Sequence, residues 1–311
     1  MERTLGAAPT RSLVEQALRG KRVDVRDLLL QGVLLGSLVI TLAVLATLLW
    51  DLSAAGWSVF QERGADFVTS DLSSISSRAG VWQGIKGSLW LMVFVVAFSF
   101  PLGVGAAIYI EEYARDTRLT RFVNANIRNL AGVPSVVYGL LGLAIFVKLL
   151  GGVTGGRSLI SGGMTLAVLV LPIVIITAAE ALRAVPHSIR DAAYGVGATR
   201  WEAIRSHVLP YAAPGILTGT ILSLARAFGE TAPLLMVGVA TGFLSLGGGG
   251  LVEQLQGPYT ALPAIIFRWS KLPQSDFRDG LAAAAILVLV VALLAVNALG
   301  IILRNRYERK W

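Results

Sequence analysis

Six stretches of this chain are too apolar and too long for the core of an ordinary soluble domain. They run at about Leu28–Trp50, Ser88–Ile110, Asn129–Leu149, Met164–Leu182, Tyr211–Ala240 and Leu281–Leu303. Each approaches or exceeds the roughly 20 residues that carry a helix across about 30 Å of hydrocarbon. Lipid offers no partner to a bare peptide group, so spanning segments of this kind are helical. Only 15% of the residues are charged, against about a quarter in soluble proteins. The expected fold class is all-α: a polytopic membrane bundle of six transmembrane helices. Gly and Pro interrupt the third and fourth runs.

The distribution of Lys and Arg sets the expected orientation. Eighteen fall in the N-terminal tail, the 111–128 linker, the 183–205 loop and the C-terminal tail; eight fall in the segments between. The positive-inside rule then puts both termini in the cytoplasm. The same rule accounts for the net charge of +8. Nucleic-acid binding is not expected, because the basic residues are dispersed without interleaved aromatics. Leu28–Trp50 is much longer than the 7–15 apolar residues of a secretory signal and reads as a retained helix. The absence of Cys removes disulfides and thiolate metal sites.

Between the spans, residues 1–27 read as an amphipathic or disordered tail and 51–84 as a polar external loop with a short helix. Residues 111–128 read as a helical inside linker and 150–163 as a flexible outside turn. The longest outside segment, 241–280, holds a hinge-like Gly247–Gly250 run and a short amphipathic helix over Tyr259–Ser270. No G-x-x-x-x-G-K-[ST] phosphate cradle occurs, so this chain is not expected to hydrolyse ATP. The glycine run reads as flexible loop.

Two charges stand inside the fifth apolar run. Counting from Tyr211, Arg226 lies about fifteen residues in, roughly 22 Å along a helix. Glu230 follows four residues later, on the same face. A central charge costs at least ~2.5–3.5 kcal/mol to insert, so lipid exposure is not expected. The pair is either a buried ion pair that locks helices together or a substrate-pathway site. An Arg offers a planar fork of donors suited to phosphate oxygens. Pro233 cannot donate to the carbonyl of Gly229, and the reading is a kink beside the pair. In the third run, Pro134 frees the carbonyl of Leu130, while Ser135 and Tyr138 offer hydroxyls to a pathway. Pro101 is expected to kink the second run. Glu180 and Glu230 stand as the only carboxylates within or bordering the spans. His187 and His207 read as surface residues, and no nucleophile–base pair is evident.

The segment Glu180–Pro210, EALRAVPHSIRDAAYGVGATRWEAIRSHVLP, is a polar, helix-forming loop between two spans. Such a loop has little reason to persist unless something docks there. Asp191-Ala192-Ala193 is followed after three residues by Gly197, and after nine more by His207-x-Leu209-Pro210. This resembles the EAA loop of ATP-binding-cassette (ABC) importer permeases, with Asp191 in place of Glu and His207 in place of Ile. Three further strings, NLAGVPSVVYGLLGL (129–143), RAFGETAPLL (226–235) and YTALPAIIFRWSKLPQSDF (259–277), are similar to the PstA-type permease of the phosphate-specific ABC importer.

The resemblance covers roughly residues 85–303. It implies a type I importer (MetI-like) permease core over 85–303 with a coupling loop at 182–210. An N-terminal tail, first helix and external segment (1–84) precede the core, and a cytoplasmic tail (304–311) follows it. It further implies a PstC-type permease partner, two PstB-type ATPase subunits that hold ATP and Mg, and a PstS-type phosphate-binding protein. No cofactor is implied in this chain. By motif, Arg226 and Glu230 become the transport-critical charges. The ATPase-coupling positions become Asp191, Ala192, Ala193, Gly197, Ala198, Thr199, Trp201, Leu209 and Pro210. Other readings stay open from the residues alone: a permease for phosphonate, sulfate or molybdate, a membrane enzyme of lipid phosphates, or a chiefly regulatory subunit.

Overall fold

The computed structural model describes residues 25–240 and 250–307, and among them every regular element is helical. The terminal tails and the glycine run up to residue 249 lie outside the described residues. By internal contacts the chain forms two compact units, 1–51 and 52–311. The described part of the first is the leading stretch of helix α1 (Val25–Arg63). Its side chains from Leu28 to Trp50 point outward on every face. A helix that is apolar all round and unburied is suited to lipid.

In the second unit, α2 (Trp82–Ile108) continues through a wider, π-helical turn at Tyr109–Tyr113. Next come α3 (Arg118–Ala131) and α4 (Ser135–Gly142), the latter prolonged by a second wide turn to Leu149. The long helix α5 (Leu159–Arg183) follows, then α6 (His187–Gly195) and α7 (Arg200–Ala203). A wide turn at Ile204–Val208 leads from α7 into α8 (Leu209–Gly229). Helices α9 (Ala232–Val237), α10 (Leu262–Trp269) and α11 (Ala282–Tyr307) follow, with shorter helical pieces at Asp66–Thr69, Gly151–Thr154, Leu251–Gln256 and Asp276–Leu281 between the named elements. Among the described residues, five helices are long and apolar enough to cross a membrane, and α3 with α4 is a sixth candidate bent by 101°.

That bend corrects the third expected span. Asn129–Leu149 does not run straight, because Pro134 disfavours helical geometry at Val133 and leaves Leu130 without its i+4 donor. The part before the bend, α3, is strongly amphipathic with no buried residue. Only Ser135–Leu149 continues as apolar helix. The fifth span is corrected in the same sense. It ends at Gly229, and Pro233 sits in the first turn of the separate helix α9. There its missing N–H is one that a helix start leaves unbonded in any case.

Within residues 51–84, α1 runs on to Arg63 and a short helix follows at Asp66–Thr69, as the expected loop with a short helix requires, though the helical share is larger. Arg63 Nη1 then donates to the carbonyl of Ala79 at 2.6 Å. Phe67, Leu72 and Val81 bury themselves with Trp269 and Phe277 in a satellite core. Residues 150–163 are partly helical, and α5, capped by Ser158, begins at Leu159, five residues before the expected start.

A central core joins Leu91 and Val95 of α2, Leu166, Val170 and Val174 of α5, and Phe228 and Leu234. A second core closes the end of the bundle near the 184–208 loop, with Ala107, Ala178, Leu182, Val185, Val208, Ala212 and Ile216. Small residues let these helices touch. A Cβ added at Gly163 would come within 2.6 Å of Phe94, which is how membrane helices without a hydrophobic drive between them gain close packing.

Candidate functional site: a charged break and a bent loop

Two helix breaks meet inside the bundle. Helix α8 stops at Gly229, and Glu230 adopts an extended backbone (φ −75°, ψ 121°) before α9 begins. Arg226 occupies the last turn of α8, where a cation is favoured by the carbonyl end of the helix. Its Nε lies 3.5 Å from Glu230 Oε1, longer than the 2.7–3.2 Å of an ordinary N–H···O bond. The Arg226 side chain is 49% exposed and that of Glu230 is 18% exposed. The pair is close enough to interact and too loose to be a locked structural bridge.

The second break lies alongside. Tyr138 is buried in α4, and its hydroxyl donates to the carbonyl of Leu130 at 2.9 Å. That carbonyl is the one Pro134 strips of its helical donor, and the Val133 N–H also reaches it at 3.0 Å. The tyrosine proton is therefore committed to bracing the bend rather than to a passing solute. Arg226 lies within electrostatic reach of this phenol. Gly139, one residue on, is pressed against α9: a Cβ there would stand 2.7 Å from Pro233 Cα. Ser135 is half-buried as the first residue of α4. The structure thus brings Arg226, Glu230 and Tyr138 into one neighbourhood, with Ser135 at the start of the same short helix.

The 184–208 loop forms the other candidate region. Helix α6 follows Pro186 and carries Asp191 and Ala192 outward and Ala193 inward. The chain then turns through Gly197 at φ +85°, a left-handed conformation that a residue with a Cβ adopts only under strain. The N–H of Gly197 bonds the Tyr194 carbonyl at 2.9 Å, and Ala198 bonds that of Ala193 at 3.1 Å. Thr199 restarts the helix with a reciprocal cap: Glu202 N–H donates to its hydroxyl, and Thr199 N–H donates to Glu202 Oε2 at 2.8 Å. Buried Ala203, Ile204 and Val208 hold the returning arm. Leu209 is half-buried, and Pro210 is exposed in the first turn of α8. At the tip, Val196 is 85% and Trp201 51% exposed. The loop thus presents two exposed apolar side chains at the tip of a well-capped bend.

The sequence reading missed what ties this loop down. Glu111 and Glu112, at the end of α2, also border a span, contrary to the expectation that only Glu180 and Glu230 do. Arg190 Nη2 reaches Glu112 Oε1 at 2.6 Å, with the two side chains 13% and 5% exposed. The same guanidinium donates to the carbonyl of Leu182 in the last turn of α5 (3.0 Å) and to that of Val185 just beyond it (2.8 Å). Glu111 forms an ion pair with Arg183, and the Tyr113 ring lies 4.9 Å from the Arg200 guanidinium carbon. The usable signal was a Glu-Glu pair closing an apolar run. His187 and His207 are both exposed, and no group of three metal-ligating side chains occurs among the described residues.

A family model, "Binding-protein-dependent transport system inner membrane component", matches residues 99–311. The chain belongs to that permease family. Similar proteins include "Probable ABC transporter permease protein YqgI" of Bacillus subtilis (strain 168), 34% identical over 54% of this permease and 56% of that protein. "Phosphate transport system permease protein PstA" of Yersinia pestis is 35% identical over 72% of each chain. "Phosphate transport system permease protein PstA 1" of Mycobacterium tuberculosis (strain ATCC 25618 / H37Rv) is 32% identical over 84% of this permease and 82% of that protein. Among solved structures, a bacterial alginate ABC transporter in complex with its periplasmic protein matches with a TM-score of 0.60 at 18% identity. It covers 88% of this permease and 93% of its own chain. The fold is therefore that of the ABC importer permeases, and the permease is a multi-pass membrane protein.

Proposed function

We propose that this chain is a permease subunit of an ATP-driven inorganic phosphate importer of the bacterial inner membrane. It supplies half of the translocation pathway, with both termini in the cytoplasm. A PstC-type permease supplies the other half, two PstB-type ATPases hold ATP and Mg, and a PstS-type protein delivers phosphate. ATP hydrolysis belongs to the ATPase subunits. The similarity to PstA-named permeases supports the substrate, and the bent, apolar-tipped loop supports an ATPase contact.

The observation that carries the reading is the half-open Arg226. A guanidinium at this depth cannot face lipid, because a central charge is costly there. It also lacks a saturated bond to Glu230. It must therefore look into a watery space or across to a second permease, and its planar fork suits an oxyanion. Glu230 serves as the resting partner that an arriving phosphate displaces. In each cycle the ATPases close, the loop at Asp191–Pro210 moves with them, and the broken helices rearrange so that Arg226 meets the outward cavity.

Replacing both Arg226 and Glu230 with Gln tests this. A pair that serves only the fold tolerates joint neutralisation. A phosphate contact does not, and the complex should assemble while uptake into proteoliposomes is lost. Wild-type uptake by the double variant would refute the substrate role.

A further inference from the structure

We propose that Glu111, Glu112 and Tyr113 are the permease's own grip on the coupling loop, the positioning residues through which loop displacement enters the bundle. The inference rests on the reading of the 184–208 loop as the ATPase contact and adds which residues receive its motion. Three consecutive side chains at one helix end each hold an arginine from a different part of the loop. Glu111 holds Arg183 where the loop leaves α5, and Glu112 holds Arg190 in α6, ahead of the Gly197 turn. Tyr113 lies under Arg200 at the start of α7, beyond that turn.

Consecutive residues of an ordinary α-helix point in widely different directions. Here the segment Tyr109–Tyr113 is a π-helical turn. Its i→i+5 bonding rotates somewhat less per residue, so successive side chains diverge a little less than in an α-helix. Such turns are often found at functional sites, and this one stands where the grip needs three neighbours to face one loop.

The three contacts differ in kind. Glu112–Arg190 is buried and supplemented by two carbonyl bonds, so it cannot open without leaving a charge stranded. Glu111–Arg183 and Tyr113–Arg200 are more open, with the Arg183 side chain 56% exposed against 15% for Glu111 and Tyr113 itself 38% exposed, so they exchange at less cost than the buried pair. The arrangement is a fixed pivot flanked by two releasable holds. From the pivot, α2 runs unbroken back to Trp82 and is tied to α5 by Ser99 Oγ, which donates to the Ala167 carbonyl at 2.7 Å. A push on the loop tip thus reaches α2 and α5 together, rather than being absorbed by flexing at Pro186.

The test uses the whole complex in proteoliposomes, with phosphate imported per ATP hydrolysed as the readout. Loss of folded complex does not move this ratio, since both quantities scale with the amount present. Tyr113→Leu removes the ring beneath Arg200 and should lower the ratio about 2–5-fold, the range expected for an exposed cation–π contact. Tyr113→Phe keeps the ring face and should restore it. Glu111→Gln should lower the ratio in the same direction. A wild-type ratio in Tyr113→Leu, or a Phe variant as poor as Leu, overturns the proposal. Trp201→Ala in parallel separates the two claims. If it leaves ATPase co-purification unchanged, the loop reading fails and the grip with it. If it weakens co-purification while Tyr113→Leu keeps the ratio, the grip alone fails.

Discussion

Arg190 gives a prediction whose size follows from its surroundings. Its guanidinium faces a carboxylate that is 5% exposed and donates to two main-chain carbonyls. Arg190→Met removes the cation but leaves Glu112 buried. Breaking a buried pair from one side costs about 3–5 kcal/mol, because the remaining charge is uncompensated. Whole domains are stable by only about 5–15 kcal/mol. At roughly 2–4 °C per kcal/mol for a domain of 150–250 residues, thermal unfolding of the detergent-solubilised complex should fall on the order of 10 °C. Adding Glu112→Leu removes the stranded charge, and the double variant should regain most of the loss, since a buried pair replaced by apolar groups is often neutral. Arg226→Gln is the control. Its pair is 3.5 Å apart with Arg226 49% and Glu230 18% exposed, and with Arg226 looking into a watery space such a contact is worth about 0–1 kcal/mol. The melting temperature should barely move. A double variant as unstable as Arg190→Met, or Arg226→Gln melting as early, would refute this division of labour.

Gly197→Val should strain the φ +85° turn by roughly 1–3 kcal/mol and weaken ATPase co-purification while membrane insertion is retained; unchanged assembly and coupled ATPase activity would make the glycine incidental. For topology, cysteines introduced at Ser74 and Ser206 should label from opposite sides of the membrane, and labelling from one side would sink the proposed orientation.

The features legible in the sequence were those that rest on local chemistry. Gly197 lies between two helix-forming runs in the sequence, and there the chain bends through a left-handed backbone. Pro134 announced a freed carbonyl at Leu130, and the carbonyl is indeed taken by a non-helical partner. That partner is Tyr138, which the sequence offered to a pathway instead, because a hydroxyl's target is set by tertiary geometry and not by its neighbours. Hydropathy ran Tyr211–Ala240 together as one span, since Glu230 and Thr231 break the helix without breaking the apolar average. Arg190 was invisible for a different reason. In the sequence it is one basic residue among several in a loop, and its partner lies 78 positions away.

On the proposed reading, Glu230 decides what kind of site Arg226 makes. A phosphate arriving at Arg226 meets the carbonyl end of α8, which carries partial negative charge, and the Glu230 carboxylate, which competes for the same fork. The fork is therefore contested rather than free of competition, and the site should hold phosphate weakly. A conduction site works in that regime, because a solute must enter and also leave. Glu230→Gln removes the competitor without removing the fork. Uptake should then show a lower KM for loaded binding protein together with a lower maximal rate, as phosphate lingers at Arg226. If Glu230 instead only holds the arginine in position, the same substitution lets the fork wander, and the rate falls with KM unchanged or raised. Steady-state uptake by proteoliposomes over a range of loaded binding protein separates the two, and a raised KM would overturn the competitor role.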